Sequence, residues 1–341
     1  PMVSKKRLNS DPLIIRTPDG LYCPKAQAHI DPWRAVDCAL ITHAHADHAR
    51  AGSRLYHAAE PGCDLLQTRL GTDQISSHAF GQPFQLGEVQ VSFHSAGHVL
   101  GSSQIRLDDG QQVWVITGDY KRQHDPTCAP FEPVECDVLI TEATFALPIY
   151  RWPSMDQVMT QLFQWWDGCI QSRRTPVLAC YSLGKAQRIM AEIGQRTDRS
   201  VWVHSAVARL NEVYAAVDVT LCPWRTASEA PKGVSTDLVI APPQVIGSAG
   251  LKKFAPTECA MASGWMQIRG VRRRASLNQG FVISDHADWD ALIQTIRQSK
   301  AQHVYATHGE TRVLTQYLND VLQIPADRLE TAFGLTEGVD Q

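Results

Sequence analysis

A mixed α/β fold is what the sequence predicts, and three observations predict it. Short Val- and Ile-rich runs recur through the first 145 residues. Strand and helix signals alternate after Pro148, and the C-terminal part repeats the strand-to-helix step twice. At 341 residues the chain is about two domains long, enough to bury a sizeable core without disulfides.

In chain order, LIIRTPDGLYCP places two apolar runs around the turn signal Pro18-Asp19-Gly20 and reads as a hairpin. Strands follow at Cys38 to Thr42, in VQVSFHS around Val91 and Phe93, at Gln112 to Thr117 and at Asp137 to Thr141. Ser154 with Gln157 forms a capping box ahead of Met155, Val158, Leu162, Phe163, Trp166, Cys169 and Ile170, whose spacing predicts a helix to about Arg173. PVLACYS, a helix from about Lys185 to Ile193, VWVH and a helix from about Ala206 then alternate. A Pro/Gly/Ser-rich stretch runs from Ala227 to Gly250. GFVISDHAD leads into a helix through Ile296, and HVYATHGE into one through Leu322. No internal repeat or low-complexity segment interrupts this order.

Composition excludes several classes. With 44% hydrophobic, 20% charged and 8% aromatic residues, and no apolar run near the roughly 20 residues that span a bilayer, neither disorder nor membrane insertion is expected. The first residues carry Lys and Arg but no apolar core of a signal peptide, which predicts a cytoplasmic protein. Nine cysteines, an odd number without a CxxC pair, read as mostly buried thiols. A formal charge of −3 offers no global attraction for a polyanion, so any anion site must be local.

The chemistry concentrates where the strand Ala39-Leu40-Ile41 runs out. His43, His45, Asp47 and His48 are four potential ligands within six residues, and imidazole and carboxylate suit Zn²⁺ or a similar divalent ion. One histidine at a strand end usually packs or caps, but four ligands so spaced do not. A hydrolytic centre needs more ligands than one loop supplies, and three isolated candidates lie at other strand ends. His98 sits between Gly97 and Gly101, Asp119 closes VWVITGD, and His308 lies in YATHGE. Each alone reads as structural; their shared placement makes them one site.

HAHADH, AGHVLGS, TGD and THGE, in this order, resemble the metal motifs of the metallo-β-lactamase fold. The resemblance implies an αββα sandwich with two metals at its sheet edges. His43, His45 and His98 would hold one, Asp47, His48 and His308 the other, and Asp119 would bridge them. Asp31 in HIDP resembles the family's first motif, an Asp that orients ligands from behind. Glu142 in LITEATF and His286 in ISDHAD resemble the acidic and histidine motifs of the β-CASP nucleases, with His308 as their third motif. ACYSLGKAQR and ASGWM are also similar to β-CASP segments. The implied division is a metallo-β-lactamase domain over 1–150, an inserted small α/β β-CASP domain over 151–275, and completion of the first domain over 276–341.

Two divalent metals, Zn first with Mn or Fe as substitutes, would lower the pKa of a shared water whose hydroxide attacks the phosphodiester. In this scheme Asp47, His286 and Glu142 are the catalytic side chains, His286 donating a proton to the departing oxygen and Glu142 holding its ring. Two dications bring about +4 against about −2 from Asp47 and Asp119, so phosphate is drawn in without a basic surface. Arg272, Arg273 and Arg274, with Arg269 upstream, form the densest positive run and are assigned backbone-phosphate contacts. Ser182 or Lys185 would touch phosphate at a helix N-terminus, although Leu183-Gly184-Lys185 lacks the rest of a P-loop. His94 reads as a packed residue, as do His29, His57, His78, His124, His204 and His303. Trp165 and Trp166 read as core and Trp265 as a base-stacking candidate.

The expected function is therefore a metal-dependent DNA exonuclease acting on single-stranded ends. GLYCP, IDPW, ITHAHADHA and ASGWM resemble compact bacterial members of the group, which implies DNA repair in association with an ATP-dependent DNA ligase and helicase. An RNA-processing β-CASP ribonuclease is the first alternative, and a lactamase-fold thioesterase or glyoxalase-like hydrolase the second.

Overall fold

The structure, a computed structural model, describes residues 11–268 and 279–330. Three sheets organise these residues. In the first, the predicted hairpin forms from β1 (Ile15–Thr17) and β2 (Gly20–Cys23), antiparallel across the Pro18-Asp19-Gly20 turn. β3 (Ala28–Ile30), β4 (Cys38–Leu40), β5 (Leu55–Ala59) and β6 (Ile75–His78) extend it, the last four mutually parallel, with α1 (Cys63–Leu70) between β5 and β6.

The second sheet begins with β7 (Phe84–Leu86), β8 (Val89–Ser95), β9 (Ser103–Asp108), β10 (Val113–Ile116) and β11 (Val138–Ala143). The chain then builds the third sheet. Its elements are α2 (Met155–Gln171), β12 (Thr175–Ala179), α3 (Lys185–Gly194), β13 (Val201–Val203), α4 (Ser205–Ala216) and β14 (Trp224–Thr226). They are followed by β15 (Leu238–Ala241), the short α5 (Ala249–Lys252), β16 (Thr257–Ala262) and β17 (Gln279–Phe281). Last, α6 (Trp289–Ser299), β18 (His303–Gly309), α7 (Thr311–Asp320) and β19 (Ala326–Arg328) return the chain to the second sheet. Its order is β19-β18-β11-β10-β9-β8-β7, and the third sheet's is β14-β13-β15-β12-β16-β17.

Burial explains the layering. Leu21, Cys23, Ile30 and Leu40 of the first sheet share one apolar cluster with Val91, Phe93, Ile105, Trp114 and Ile140 of the second, so the two sheets bury one face against each other. The outer face of the second sheet is covered by Leu292 and Ile296 of α6 and Leu314 and Leu318 of α7. That of the first is covered by Leu65 and Leu66 of α1 and by Leu210 and Tyr214 of α4. All pairings in the third sheet are parallel, and both its faces are covered.

The Ser154 and Gln157 capping box forms as its sequence predicts, opening α2. Trp166, on that helix, is fully buried among Leu162, Ile189 and Val203, and its indole N–H donates to Thr236 O at 2.7 Å. Trp166→Ala is expected to lower stability by about 3–5 kcal/mol in a urea titration, through a large cavity and an unpaired carbonyl.

Two features go beyond what the sequence indicates. The stretch 227–250 contains β15, in which Leu238, Val239, Ile240 and Ala241 are all buried. A four-residue run buried on both faces has no alternation to mark it amid Pro, Gly and Ser. The third sheet also runs past position 275 to Phe281, because β17 pairs with β16.

Candidate metal centre

Strand direction places the ligands. β8, β10, β11 and β18 run the same way in the second sheet, so their C-terminal ends share one edge. His98 follows β8, Asp119 follows β10, and Glu142 and His308 are the penultimate residues of β11 and β18. The first sheet brings its own strand ends to the same edge. Asp31 follows β3, the 43–48 segment follows β4, and Ser103 at the start of β9 donates both its N–H and its hydroxyl to Thr42 O.

Local backbone aims the side chains. His98 sits in a tight loop between two glycines with φ of +69° and +71°. A Cβ at Gly101 would lie 2.0 Å from Gly62 N, and one at Gly97 2.5 Å from Lys121 O, so no larger residue fits either position. Along β11 and β18, Glu142 pairs with Thr307 and Ala143 with Gly309, which leaves His308 as the extra residue of a bulge. His308 and Asp31 adopt left-handed backbone (φ +57° and +43°), a strain that proteins concentrate at functional positions.

The donor atoms converge. His45 Nδ1 lies 3.1 Å from both His43 Nε2 and His98 Nε2. Asp119 Oδ2 is 3.6 Å from His43 Nε2, 3.4 Å from His48 Nε2, 3.9 Å from His98 Nε2 and 4.0 Å from His286 Nδ1. Two groups could each hold a metal ion: His43, His45, His98 and Asp119 in one, His48, Asp119 and His308 in the other. Asp119, Glu142 and His286 form an adjoining cluster. Asp47 is half-exposed, with Oδ2 3.7 Å from His48 Nε2. It lines the cleft over the site with Trp33, His48, Asp119, Glu142 and His308.

The opposite ring nitrogens show that these residues fit a metal. His43 Nδ1 bonds Thr42 Oγ1 at 3.0 Å, and the Thr42 hydroxyl itself donates to Asp31 Oδ2 at 2.6 Å. His45 Nε2 faces Leu183 O at 3.3 Å, His48 Nδ1 faces Asp31 Oδ2 at 2.7 Å, and His98 Nδ1 faces Asp285 O at 2.6 Å. Carbonyls and carboxylates only accept, so each ring's proton sits on the outer nitrogen and a lone pair points inward. His48 Nε2 is buried without a hydrogen-bond partner, an orphan that an ion would satisfy.

Electrostatics agree. Burial, reinforced by neighbouring imidazoles, holds His43 and His98 well below the usual histidine range, in the neutral form that ligates. Burial acts the same way on His48, but the carboxylates of Asp119, Asp47 and Asp31 overcome it and favour positive charge there. A dication at Nε2 meets that demand as a proton does.

Glu142 is buried and braced by two donors. Its Oε1 accepts from Tyr120 N at 2.7 Å and its Oε2 from His286 Nδ1 at 2.9 Å. Burial alone would depress His286, but Glu142 and then Asp119 outweigh it and raise its pKa to about 9. Trp152 Nε1 donates to His286 O at 2.9 Å, and Phe145 packs against Trp152, Trp265 and the His286 ring.

The remaining expectations fall as follows. Lys185 is buried, its ammonium 3.3 Å from Asp285 Oδ2 and 4.6 Å from the Tyr181 ring centroid. Ser182, in the turn before α3, is half-buried. Arg269, Arg272, Arg273 and Arg274 lie outside the described residues. His94 pairs with Glu132 at 2.9 Å, away from the cluster.

Sequence reasoning missed the buried charges behind the site, Lys121, Asp125, Arg188 and Asp285. The available signal was Lys185 and Arg188 one turn apart on a helix whose residues 185–193 are all buried. Burial disfavours the Asp125 and Asp285 carboxylates, but Lys121, Lys185 and Arg188 overcome it and hold both below the usual range. A depressed folded-state pKa contributes stability above the unfolded value and loses it as pH falls. The urea midpoint is therefore expected to drop between about pH 5 and pH 3, and less steeply in Asp125→Asn; a midpoint flat across that window would contradict this linkage.

No family model matches the chain. Over 312 residues, 91% of this chain, it is 29% identical to a probable DNA ligase of Opitutus terrae, of which the match covers 30%. It is 26% identical over 212 residues to an RNase J-like protein of Methanocaldococcus jannaschii, covering 53% of this chain and 50% of that protein. It is 27% identical over 209 residues to the transcription termination factor FttA of Methanosarcina mazei, covering 50% of this chain and 32% of that protein. The chain thus matches half or less of the length of each of these curated relatives. A crystal structure of a protein of unknown function from Enterococcus faecalis shares the fold, with a TM-score of 0.60 at 13% identity over 87% of this chain and 80% of that one. Metal motifs in this order, gathered at one sheet edge in a chain with these relatives, support membership of the metallo-β-lactamase family, in its β-CASP group.

Proposed function

We propose that the chain is a metal-dependent phosphodiesterase that acts as an exonuclease on single-stranded DNA ends. One observation carries this reading: a single carboxylate, Asp119, lies within 4.0 Å of ring nitrogens of His43, His48, His98 and His286, joining both ligand groups to a proton donor. His43, His45, His98 and Asp119 would hold one divalent ion, Zn first with Mn or Fe as substitutes, and His48, His308, Asp47 and Asp119 a second. Such a pair supplies an activated water at neutral pH and neutralises charge that develops on the phosphate.

The chain's own residues do the rest. Glu142 engages His286 Nδ1, so Nε2 is the nitrogen that delivers a proton to the departing oxygen. With its pKa raised to about 9, His286 carries that proton at neutral pH. Asp47, half-exposed beside His48, orients the attacking water. Ser182 is the phosphate contact at the start of α3, and Arg272 to Arg274 guide the backbone.

The domain reading belongs to the same proposal. An αββα sandwich built from 1–150 and the chain that follows Phe281 carries the ligands, and the unit inserted after 150, which runs on through β17, caps them so that only a thin strand enters. The match of 91% of the chain to part of a probable DNA ligase supports DNA as substrate and a DNA ligase as functional partner; a helicase partner and a cytoplasmic location complete the proposal. The names RNase J-like protein and FttA support the alternative, an RNA-processing enzyme.

Competition between matched DNA and RNA single strands, labelled at either end and assayed with Zn²⁺, Mn²⁺ and Fe²⁺, tests the proposal. Stepwise shortening of DNA is the expected result. Preference for RNA would overturn the substrate, and thioester hydrolysis without cleavage of either polymer would overturn the nuclease reading.

A further inference from the structure

Five charged side chains that the proposed chemistry does not use lie buried behind the ligands. Lys121, Asp125, Lys185, Arg188 and Asp285 are each at most 8% exposed. Lys121 Nζ lies 2.5 Å from Asp125 Oδ2 and 3.9 Å from Asp285 Oδ1. Lys185 Nζ is 3.3 Å from Asp285 Oδ2. Arg188 stands 3.7 Å from each of Asp125 Oδ2 and Asp285 Oδ1, and donates to Ser284 O at 2.8 Å. Desolvating five charges is a poor route to stability compared with apolar packing, so the cluster calls for another reason.

That reason lies in what the cluster grips. Lys121 Nζ donates to the carbonyl of His98 at 3.0 Å, and His98 Nδ1 donates to the carbonyl of Asp285 at 2.6 Å. The ligand is thus held at its backbone and at its ring by two members of one network. The carbonyl of Asp285 also dictates which ring nitrogen keeps the proton, leaving His98 Nε2 for the ligand cluster. Asp285 immediately precedes His286, and Arg188 ties down Ser284 on its other side. Lys185 and Arg188 belong to α3, between strands of the third sheet, so the grip reaches the centre from the unit that does not supply the ligands.

We propose that Lys121, Lys185 and Arg188 are positioning residues that clamp Asp285, and that Asp285 in turn sets the tautomer and orientation of His98 as a metal ligand and the place of His286 above Asp119. The inference rests on the metal centre of the proposed function but not on its substrate.

Lys185→Met and Lys121→Met test it. Either change leaves two cations facing two carboxylates, so the remaining buried charges balance and folding is expected to persist. The readouts are zinc affinity by competition with a chromophoric chelator, and the visible spectrum of the Co²⁺-loaded protein. The expected result is a 10- to 100-fold loss of affinity at one of two sites, about the scale of removing a partner behind a ligand, with an altered Co²⁺ spectrum in a protein whose circular dichroism shows it folded. Parental affinity and spectrum in both folded variants would overturn the clamp. Should both variants fail to fold, the histidine ¹⁵N spectrum of the zinc-loaded parental protein decides: a proton on His98 Nδ1 supports the clamp, and one on Nε2 overturns it. A parental protein that binds no zinc would overturn the metal centre itself, a distinct failure.

Discussion

His48→Ala is expected to lower phosphodiester hydrolysis about 10³-fold or more while the protein stays folded, since metal stabilisation is worth several kcal/mol and each 1.4 kcal/mol is a factor of ten. The ring stands at the junction of the site, with Nδ1 held by Asp31 and Nε2 between Asp47 and Asp119. Its removal takes away one ligand of the second group without touching the inter-sheet core, where Leu21, Ile30, Phe93 and Ile105 do the packing. Metal content should fall toward one ion per chain, and circular dichroism should match the parent. Undiminished cleavage in a folded, metal-depleted His48→Ala protein would contradict the catalytic role of the centre.

The second large effect concerns the proton donor. His286→Ala is expected to reduce kcat about 10²–10⁴-fold, the usual contribution of general acid catalysis. Its pH dependence identifies the mechanism more closely than its size. Glu142 and Asp119 overcome the effect of burial and raise His286 to about 9, above the ordinary histidine value, so the imidazolium is present below that pH and lost above it. Activity should therefore decline as pH rises through about 9. Glu142→Gln withdraws the charge that favours the proton, and the alkaline decline should then begin at lower pH, with kcat more affected than KM. An alkaline limb that stays in place in Glu142→Gln would remove Glu142 from the proton-holding role.

Much of this site was legible in the sequence because its chemistry is written in residue types that rarely cluster by chance. His43, His45, Asp47 and His48 announce themselves within six positions, and His98, Asp119 and His308 each close a short apolar run that is a strand in the structure. The hairpin at Pro18-Asp19-Gly20 and the capped helix at Ser154 were legible for the same reason, since turn and cap residues act locally.

What escaped was decided by distant contacts. β15 lacks alternation because both its faces are covered, and that β17 joins the third sheet is decided by its pairing with β16. The bulge that turns His308 inward depends on the register between β11 and β18. Asp285 resembles any loop carboxylate until the fold brings Lys121 and Arg188, from 164 and 97 positions upstream in the numbering, to face it.

Anomalous diffraction at the zinc edge, from crystals grown with Zn²⁺, measures the central feature most directly. Two peaks about 3.5–4 Å apart are predicted, one among His43, His45, His98 and Asp119 and the other among His48, His308 and Asp119. Peaks absent from this sheet edge, or zinc bound elsewhere while these histidines remain unligated, would contradict it.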